Sequence, residues 1–422
     1  MSEAGHNYRT LTLLSVLHAF THIYQVALLP LYLPIQKTFR LDSVGSSTLL
    51  VTLLMLAYFV PSYPMGVLAD RVSRKKLLGW GLAINGAGFI GLGLAPSYPL
   101  ALGAVVVAGF GGSFFHPAAT ALVARLFPVG TGRALGILGM GAGAGFFLGP
   151  LYAGWRATQA GDWRAPVLEL GLCGLAGAAL FSWLAVEAPA AAPSSSAPGP
   201  RVRLFGSAQF ALLFVAAAFA FSLRDFAGSS MGSLGSLFLQ SAHGFSVRQT
   251  GVLLSGIFLA SIISNPLFGH LSDRGRKRWT CVALGVAAVL IALFPHLPGE
   301  RGWLFFVAFM AYGFFFMASY PMVEAAVMQA VPDGVRGRAF GLWITIGGLL
   351  GNLSHWLVGR WVEGLGPRAS SAGAYAGIYA GLAVLLLFSL LGLACLHGLL
   401  RERRSGGAGA FSAPPATQPT LK

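Results

Sequence analysis

Ionisable side chains inside long apolar segments are the residues of this sequence that could do chemistry. His18 and His22 are one helical turn apart, so they share one face of a helix. Histidine titrates near neutral pH, as a proton carrier must, and it also binds metals. Because no nearby Asp, Glu or Cys completes a ligand set, we predict no metal site and expect the pair to carry protons; two hydrogen-bonded structural histidines are the alternative. Tyr24 and Gln25 follow and are further candidates for lining a substrate cavity.

A second group of charges lies in the later half of the chain. A charged side chain at the centre of a membrane helix costs about 2.5–3.5 kcal/mol on insertion scales, so each is a functional candidate. Arg224 and Asp225 are adjacent, and neighbouring side chains diverge on a helix, so we expect them to contact different partners. Arg224 is a candidate for binding an anionic substrate, and mutual screening of the two charges is the structural alternative. Asp225 and Glu324, which follows Pro321, are the strongest candidates for proton coupling.

Two more histidines lie in apolar segments. His116 precedes Pro117, which frees a backbone carbonyl one turn earlier. The imidazole can either satisfy this carbonyl or line a site, so a structural role and a functional role are both open. His355 lies in a later apolar segment and is a further candidate for the cavity.

The composition predicts that membrane-spanning helices hold these residues. Of the 422 residues, 55% are hydrophobic and only 10% are charged, against about 25% charged in soluble domains. The net charge of +15 does not indicate nucleic-acid binding, because the cations cluster at the ends of apolar segments. The sequence has no nucleotide-binding loop and no catalytic constellation, so we predict neither an enzyme nor an ATP-driven pump, and no cofactor.

Twelve apolar segments are long enough to cross about 30 Å of hydrocarbon, so the expected fold is an all-α membrane protein. The predicted spans are 10–36, 45–69, 77–96, 99–125, 134–155, 165–186, 207–239, 247–271, 279–296, 302–330, 338–361 and 374–400. The first is too long for a cleaved signal segment. A stretch rich in Ala, Pro and Ser follows the sixth span. We therefore predict an N-terminal bundle at 1–187, a linker at 188–206, a C-terminal bundle at 207–402 and a disordered tail at 403–422.

Short motifs repeat between the two halves at a nearly constant spacing. The basic loop that begins at Gly66 returns at Gly269, 203 residues later, and two other motifs repeat at offsets of 204 and 205. Repeats in the same order predict two parallel halves related by an axis along the membrane normal. Each loop places an Asp before cations that can form charge-assisted hydrogen bonds across a helix gap, which predicts a conformational latch. The latch residues are Gly66, Asp70, Arg71, Arg74, Gly269, Asp273, Arg274 and Arg276.

The distribution of cations predicts the orientation in the membrane. With the amino terminus inside, 19 of the 28 Lys and Arg residues fall on the inner side and 8 on the outer side. An even number of spans then leaves both termini in the cytoplasm. This excess of inner cations would also produce basic loops without any latch, which is the alternative interpretation of the repeated loop.

The fifth predicted span carries a run of small residues around one proline. Its members are Gly145, Gly149, Pro150 and Gly154. Glycines at this density let helix backbones approach closely, and the proline allows a bend. Ordinary helix packing is the alternative to a role in transport.

Together these motifs resemble the major facilitator superfamily. The two basic loops are similar to the signature loop of that family after helices 2 and 8, with Ser73 where the first copy usually has Gly. The small residues of span 5 are similar to its antiporter signature, with Ala153 in place of one Gly. The resemblance covers the whole chain. It implies twelve transmembrane helices in two pseudo-symmetric six-helix bundles, transport by alternating access, and a protein that works as a monomer.

Spans 1, 4 and 7 also resemble the fosmidomycin-resistance branch of bacterial drug exporters. The residues that carry this resemblance are His18, Tyr24-Gln25, Phe115-His116-Pro117 and Arg224. His22 and Ala118 stand where that branch has acidic residues, so the resemblance implies that His22 replaces one acidic function and Glu324 the other. The helix-4 arginine of drug/proton antiporters is absent, with Val106 at its position.

We therefore expect a bacterial-type inner-membrane transporter that exports a small, anionic or amphipathic organic compound in exchange for protons. Its expected partners are the small-molecule substrate, protons and the lipid bilayer. Proton-coupled uptake of an organic anion is the first alternative, and a non-transporting membrane receptor is the second.

Overall fold

The computed structural model describes residues 3–69, 71–127, 129, 131–187, 204–272, 275–331 and 336–406. Over these residues the chain folds into helices that form twelve spans, and it contains no β-strand. Spans 1 to 6 are Glu3–Val26 with Leu29–Leu31 and Tyr32–Phe39; Val44–Phe59 with Ser62–Ala69; Arg74–Leu94; Tyr98–Gly112 with Phe115–Leu126; Thr131–Ala160; and Arg164–Leu184. Spans 7 to 12 are Ala208–Leu237 with Phe238–Ala242; Val247–Leu259 with Ser261–Ser272; Arg276–Leu293 with Phe294–His296; Gly302–Ala330; Arg336–Gly364; and Ala376–Phe388 with Leu391–Gly406.

Eleven of the spans are long and apolar enough to cross a membrane, counted over the described residues. Span 11 has 29 residues but is less apolar, because it carries the buried side chains of Asn352 and His355. Both of these side chains make hydrogen bonds within the protein, so lipid does not have to solvate them. The predicted all-α membrane fold is therefore confirmed.

The two halves pack their helices in the same pattern. Span 1 packs against span 5, span 3 against spans 4 and 6, and span 2 against span 4. In the second half, span 7 packs against span 11, span 9 against spans 10 and 12, and span 8 against span 10. This repetition confirms the two pseudo-symmetric six-helix bundles. Most of the predicted linker and tail lies outside the described residues, and the last helix continues to Gly406, inside the predicted tail.

A strip of glycines on span 5 lets it lie directly against span 1. A Cβ atom added to Gly145 would lie 2.8 Å from the Cα of Ala19, and one on Gly149 would lie 3.1 Å from the carbonyl oxygen of Ile23. On each helix the contacting positions are four residues, or about one helical turn, apart, so the close approach continues along the two helices. Only residues without a Cβ permit this separation of the backbones.

The same span also joins the two bundles. A Cβ atom on Gly154 would lie 3.1 Å from the Cα of Gly251 in span 8, and one on Gly251 would lie 3.2 Å from the carbonyl carbon of Pro150. Span 2 makes the corresponding contact with span 11. The small residues predicted to form a motif in span 5 therefore line two interfaces, one within the N-terminal bundle and one between the bundles.

Span 4 is broken into two helices just before His116. Ser113 and Phe114 turn between the two helices of this span. Pro117 then lies in the first turn of the second helix, where its missing N–H removes no helical hydrogen bond. Span 10 stays one continuous helix through the equivalent Pro321.

We expect Gly145→Ala to destabilise the protein by about 1–3 kcal/mol, because the added methyl group overlaps the backbone of span 1. The matched control is Gly139→Ala on the same helix, where an added Cβ meets nothing within 4 Å and helix propensity favours Ala. Thermal unfolding of the two purified variants in detergent measures the difference. Equal melting temperatures for the two would contradict the close packing of spans 1 and 5.

Candidate functional site

Three histidines from two spans meet inside the N-terminal bundle and form the histidine cluster, defined as His18, His22 and His116. The Nε2 atoms of His18 and His22 are 3.1 Å apart, as expected for residues one turn apart. The potential ligand nitrogens of all three lie within 4.8 Å of one another. The sequence placed His116 only as a separate candidate, so the third member of the cluster is a product of tertiary packing.

Helix contacts with span 5 fix the orientation of His18. Its Nδ1 donates to the carbonyl oxygen of Leu138 over 2.8 Å, and the hydroxyl of Ser15, one turn earlier, donates to the carbonyl of Ile137. These bonds require the short distance between spans 1 and 5 that the glycines permit. The ring of Phe115 stacks on His18 with 4.7 Å between centroids and limits its rotation.

Gln25 continues the face of span 1 that bears the cluster, whereas Tyr24 leaves it. Nδ1 of His22 lies 2.9 Å from Oε1 of Gln25. The Tyr24 hydroxyl instead donates to the carbonyl of Leu170 in span 6, so this predicted cavity residue contributes to packing within the bundle. Two buried polar groups lie next to the cluster and close to each other, the Gln25 amide and the Tyr58 hydroxyl, and neither Nε2 of Gln25 nor the Tyr58 hydroxyl makes a well-aligned hydrogen bond among the described residues. Such atoms are suited to contact a bound molecule.

The C-terminal bundle holds the charged cluster, defined as Arg224, Asp225, Tyr320 and Glu324. Arg224 is 2% exposed, and its guanidinium lies 4.0 Å from the centre of the Tyr320 ring. The Tyr320 hydroxyl lies within electrostatic range of the Asp225 carboxylate. Glu324, one turn after Tyr320, lies within electrostatic range of both charged residues of span 7. Three of the predicted site residues are thus brought together.

The expectation that Arg224 and Asp225 contact different partners is wrong. Nε and Nη2 of Arg224 both donate to Oδ1 of Asp225, at 3.0 Å and 2.8 Å. Adjacent Cβ atoms do diverge on a helix, but the long arginine side chain folds back far enough to reach its neighbour. In a site with little water, an unpaired charge is so costly that this pairing is preferred. Nη1 of Arg224 remains without a partner among the described residues and can donate to a ligand.

The two clusters occupy equivalent places in the two halves. His116 and Tyr320 precede the repeated prolines at an offset of 204 residues. His22 and Asp225 lie at an offset of 203, which is the offset of the repeated basic loops. The same two helices of each bundle therefore carry imidazoles in one half and charged groups in the other.

His355 belongs to neither cluster. Its Nδ1 is 2.6 Å from the hydroxyl of Ser233 in span 7, which in turn is 2.7 Å from the hydroxyl of Tyr32 in span 1. This chain of hydrogen bonds connects the two bundles. His355 thus holds, from within the C-terminal bundle, the Ser233 hydroxyl that contacts the other bundle, and its role in the cavity stays a prediction.

Further bonds make this region a closed end of the molecule. The hydroxyl of Ser236 and the amide of Gln240 donate to the carbonyls of Leu29 and Pro30, at 2.5 Å and 3.2 Å. At the rim, Ser43 of span 2 bonds to Glu363 of span 11. By contrast, the segment Glu3–Val26 of span 1 makes its main contacts within its own bundle. The bundles are thus held together most firmly at the end that contains Tyr32 and Ser233.

The predicted latch is only partly described. Asp70, Asp273 and Arg274 lie outside the described residues. Arg71 is exposed and Arg74 is buried, Gly66 lies against Pro117, and the space around Gly269 is open. Arg276 donates to the side chain of Gln329 at the end of span 10 over 2.6 Å, which is a contact across a helix gap. The role of these loops as a latch stays a prediction.

Ser73 and Glu187 form a contact at the first basic loop that the sequence did not reveal. The Ser73 hydroxyl caps span 3 by accepting from the backbone N–H of Lys76, and it donates to the carboxylate of Glu187. Glu187 also accepts from the backbone of Lys75 at 3.2 Å. A carboxylate at the N-terminus of a helix is favoured by the helix dipole. The capping serine was a recognisable signal, but its partner is 114 residues away.

A family model described as "Major Facilitator Superfamily" matches residues 11–355 of the chain. The chain belongs to the major facilitator superfamily. It is therefore a multi-pass membrane transporter and not an enzyme, and the broad resemblance drawn from its basic loops is confirmed.

Several relatives of this superfamily chain are transporters. It is 26% identical to the uncharacterized MFS-type transporter YceJ of Bacillus subtilis over 325 residues, which cover 74% of this chain and 77% of YceJ. It is 23% identical to the uncharacterized MFS-type transporter Rv1250 of Mycobacterium tuberculosis, over 71% of this chain and 61% of Rv1250. A shorter match, 34% identical over 90 residues, is to the multidrug resistance protein MdtH of Shigella dysenteriae and spans only 22% of that protein.

Solved structures share the fold of this major facilitator chain. A bacterial homologue of the human lysosomal transporter Spinster, in an inward-facing and unoccupied conformation, superimposes with a TM-score of 0.74 at 19% identity, covering 97% of this chain and 99% of the other. A point mutant of the nucleoside transporter NupG gives 0.72 at 18% identity, covering 92% and 99%. At these identities the likeness concerns the fold alone.

We expect Tyr32→Phe to weaken the closed end, because it removes the hydrogen bond between spans 1 and 7 and leaves the ring in place. A net hydrogen bond of about 0.5–1.5 kcal/mol corresponds to a roughly 2- to 12-fold rise in the open population. Pulsed electron–electron resonance between spin labels at the exposed positions Lys37 and Ser370, in a cysteine-free background, measures this population.

Tyr98→Phe is the matched control, because it removes a tyrosine-to-carbonyl bond inside the N-terminal bundle. Its distance distribution should equal that of the parent protein. A distribution for Tyr32→Phe that also equals the parent would refute the role of Tyr32 in closing this end.

Proposed function

We propose that this chain exports a small amphipathic organic compound in exchange for protons, by alternating access between its two bundles. The observation that carries the proposal is the charged cluster, in which a buried arginine faces two carboxylates inside a membrane-spanning bundle. Groups of this kind are costly in a membrane and are therefore characteristic of ion and substrate pathways. Arg224 and Asp225 lie close to the middle of span 7, and Glu324 lies two turns beyond the middle of span 10.

Proton coupling in this proposal rests on Asp225 and Glu324. Both carboxylates share the field of one Arg224, so a proton taken up by either changes the balance of charge in a poorly hydrated site. That change alters how strongly span 7 is held against span 10. A substrate that needs an ionised carboxylate then competes with the proton, which is the requirement for exchange.

Alternating access in this proposal uses the closed end as one gate. Rupture of the Tyr32–Ser233–His355 chain, with closure of the opposite end, would expose the clusters to the other side of the membrane. We propose that both termini are cytoplasmic, that the protein resides in the inner membrane as a monomer, and that the conformation described here faces inward. The basic loops would then act as latches on the cytoplasmic side.

Two observations support export over import. The small residues of span 5 line the interface between bundles, where an antiporter signature would act. The 90-residue match to MdtH is to a multidrug resistance protein. We retain the fosmidomycin-resistance branch of drug exporters as part of this proposal, because His18, His116 and Arg224 fit its pattern.

The direct test is proton movement in inside-out vesicles that carry an imposed pH gradient, screened with organic cations, neutral amphiphiles and organic anions. Export by exchange predicts that a substrate collapses the gradient in vesicles with the protein and not in vesicles without it. Absence of collapse with every compound, together with uptake in right-side-out vesicles, would refute export.

Proton-coupled uptake of an organic anion is a second candidate, and the geometry of Arg224 favours it specifically. Protonation of Asp225 would release Nε and Nη2, which together with the unpartnered Nη1 could bind a carboxylate or phosphonate. Proton and anion would then bind together rather than compete. The charge of the substrate therefore decides the direction of coupling: exchange fits a cation or neutral amphiphile, and co-transport fits an anion.

We expect Glu324→Gln to abolish transport driven by a pH gradient while preserving exchange of labelled for unlabelled substrate, which needs no net proton movement. The reason is that the amide keeps the shape of the side chain but cannot load a proton. Glu300→Gln, at an exposed loop position, is the control and should behave like the parent protein. Full pH-driven transport by Glu324→Gln would remove this residue from the mechanism.

A further inference from the structure

We propose that the histidine cluster binds one divalent transition-metal ion, with Zn²⁺ as its probe. The sequence argued against a metal because no nearby Asp, Glu or Cys completes a ligand set with His18 and His22. Tertiary packing supplies the missing ligand, since His116 of span 4 brings a third ring nitrogen within 4.8 Å of the other two. The inference concerns binding and does not depend on the direction of transport or on proton coupling.

The distance between the first two ligands fits a metal ion. Two nitrogens bound to one tetrahedral Zn²⁺ at about 2.0–2.1 Å are about 3.3–3.4 Å apart. The Nε2 atoms of His18 and His22 are 3.1 Å apart without an ion between them. His116 closes the set by a small movement, and it lies just after the break in span 4, where the backbone can adjust.

The outer nitrogens already have the partners that metal-bound histidines use. A ligating imidazole almost always donates its other N–H to an oxygen, which fixes the ring and raises its basicity. Nδ1 of His18 donates to the Leu138 carbonyl over 2.8 Å, and Nδ1 of His22 lies 2.9 Å from Oε1 of Gln25. When both Nδ1 atoms carry the proton, both Nε2 lone pairs point at each other. Two facing lone pairs repel unless a metal ion or a proton lies between them, so the two compete for this position.

An arrangement without metal competes with this one. If the Gln25 amide turns over, its Nε2 donates to Nδ1 of His22, and Nε2–H of His22 donates to His18. The turned amide also offers its oxygen as an acceptor for the Tyr58 hydroxyl, which otherwise has no well-aligned partner among the described residues. Metal binding therefore requires the ring proton of His22 to move from Nε2 to Nδ1 and the Gln25 amide to turn back. Because only neutral imidazoles bind a metal, we expect Zn²⁺ binding to weaken as pH falls.

The composition of the site indicates the class of ion and what completes it. Three neutral imidazoles suit Zn²⁺, Cu²⁺, Ni²⁺ or Co²⁺ and not Mg²⁺ or Ca²⁺, which prefer oxygen ligands. The described residues place no Asp, Glu or Cys in the ligand group, so the charge of the ion is not neutralised by the protein. Three protein ligands leave a fourth position open, as in catalytic zinc sites, and an anionic or thiol group of a small molecule can fill it.

The experiment uses the purified full-length protein in detergent, with any affinity tag removed. Titration with Co²⁺ should give the visible absorption bands of tetrahedral cobalt and saturate at one equivalent, and Zn²⁺ should displace it. Zn²⁺ should also raise the melting temperature, since it binds the folded state. Mg²⁺ should neither displace Co²⁺ nor raise the melting temperature.

His22→Asn should abolish the cobalt bands and the Zn²⁺-dependent rise in melting temperature, and His116→Ala should do the same. Gln25→Leu keeps all three ligands and should weaken Zn²⁺ binding by roughly 10- to 100-fold, because it removes the oxygen that orients the His22 ring. His296→Asn is the matched control, because this histidine is exposed and distant in sequence from the cluster. It should bind as the parent does.

Absence of saturable binding in the parent protein would overturn the proposal, as would equal binding by the parent and His22→Asn. If His22→Asn does not fold, the comparison of His116→Ala with His296→Asn decides in its place. Proteoliposomes with an entrapped zinc indicator then separate two roles of a bound ion. Protein-dependent entry of Zn²⁺ identifies the ion as cargo, whereas inhibition or stimulation of organic-substrate transport without entry identifies it as a regulator.

Discussion

The close contact between spans 1 and 5 is the interaction on which the rest of the N-terminal bundle depends. Gly145 and Gly149 remove the Cβ atoms that would hold the helices apart, and span 1 then hydrogen-bonds to backbone carbonyls of span 5. This contact fixes the ring of His18 and therefore the geometry of the histidine cluster. The same span continues to Gly154, where it meets span 8 of the other bundle. A change in the relative position of the bundles is thus connected, through one helix, to the position of a buried imidazole.

The duplicated architecture places two different chemistries at equivalent positions. The residue before the repeated proline is His116 in one half and Tyr320 in the other, and each joins a cluster with the first helix of its own half. Imidazoles without carboxylates suit the metal ion that we propose for the first cluster, whereas Arg224 with two carboxylates suits the proton coupling that we propose for the second. Divergence of the two halves after duplication therefore gives a transporter with two polar sites in one fold. Because each cluster lies within a single bundle, neither of them prevents the bundles from moving relative to each other.

The closed end provides the connection that the clusters do not. The Tyr32–Ser233 hydrogen bond crosses the interface and continues to His355 within the C-terminal bundle, and each such bond contributes only about 1 kcal/mol net. A set of individually modest bonds can hold one conformation and still release it when substrate or protons change the balance. Membership of the major facilitator superfamily is consistent with this arrangement, since alternating access needs a gate that opens reversibly.

The sequence by itself determined the number of spans, the two halves and the ionisable residues, because apolar length, repeated motifs and the cost of charge in lipid are all readable along one chain. Helical spacing also showed that His18 and His22 share a face. It could not show which other helix lies opposite that face, so it predicted neither the approach of His116 nor the three-histidine cluster that we propose as a metal site. It also could not show how far a side chain bends, and Arg224 reached Asp225 against expectation. Only the tertiary structure decided these points, because the neighbours of a side chain depend on how helices distant in sequence pack together and on how the side chain turns within that packing.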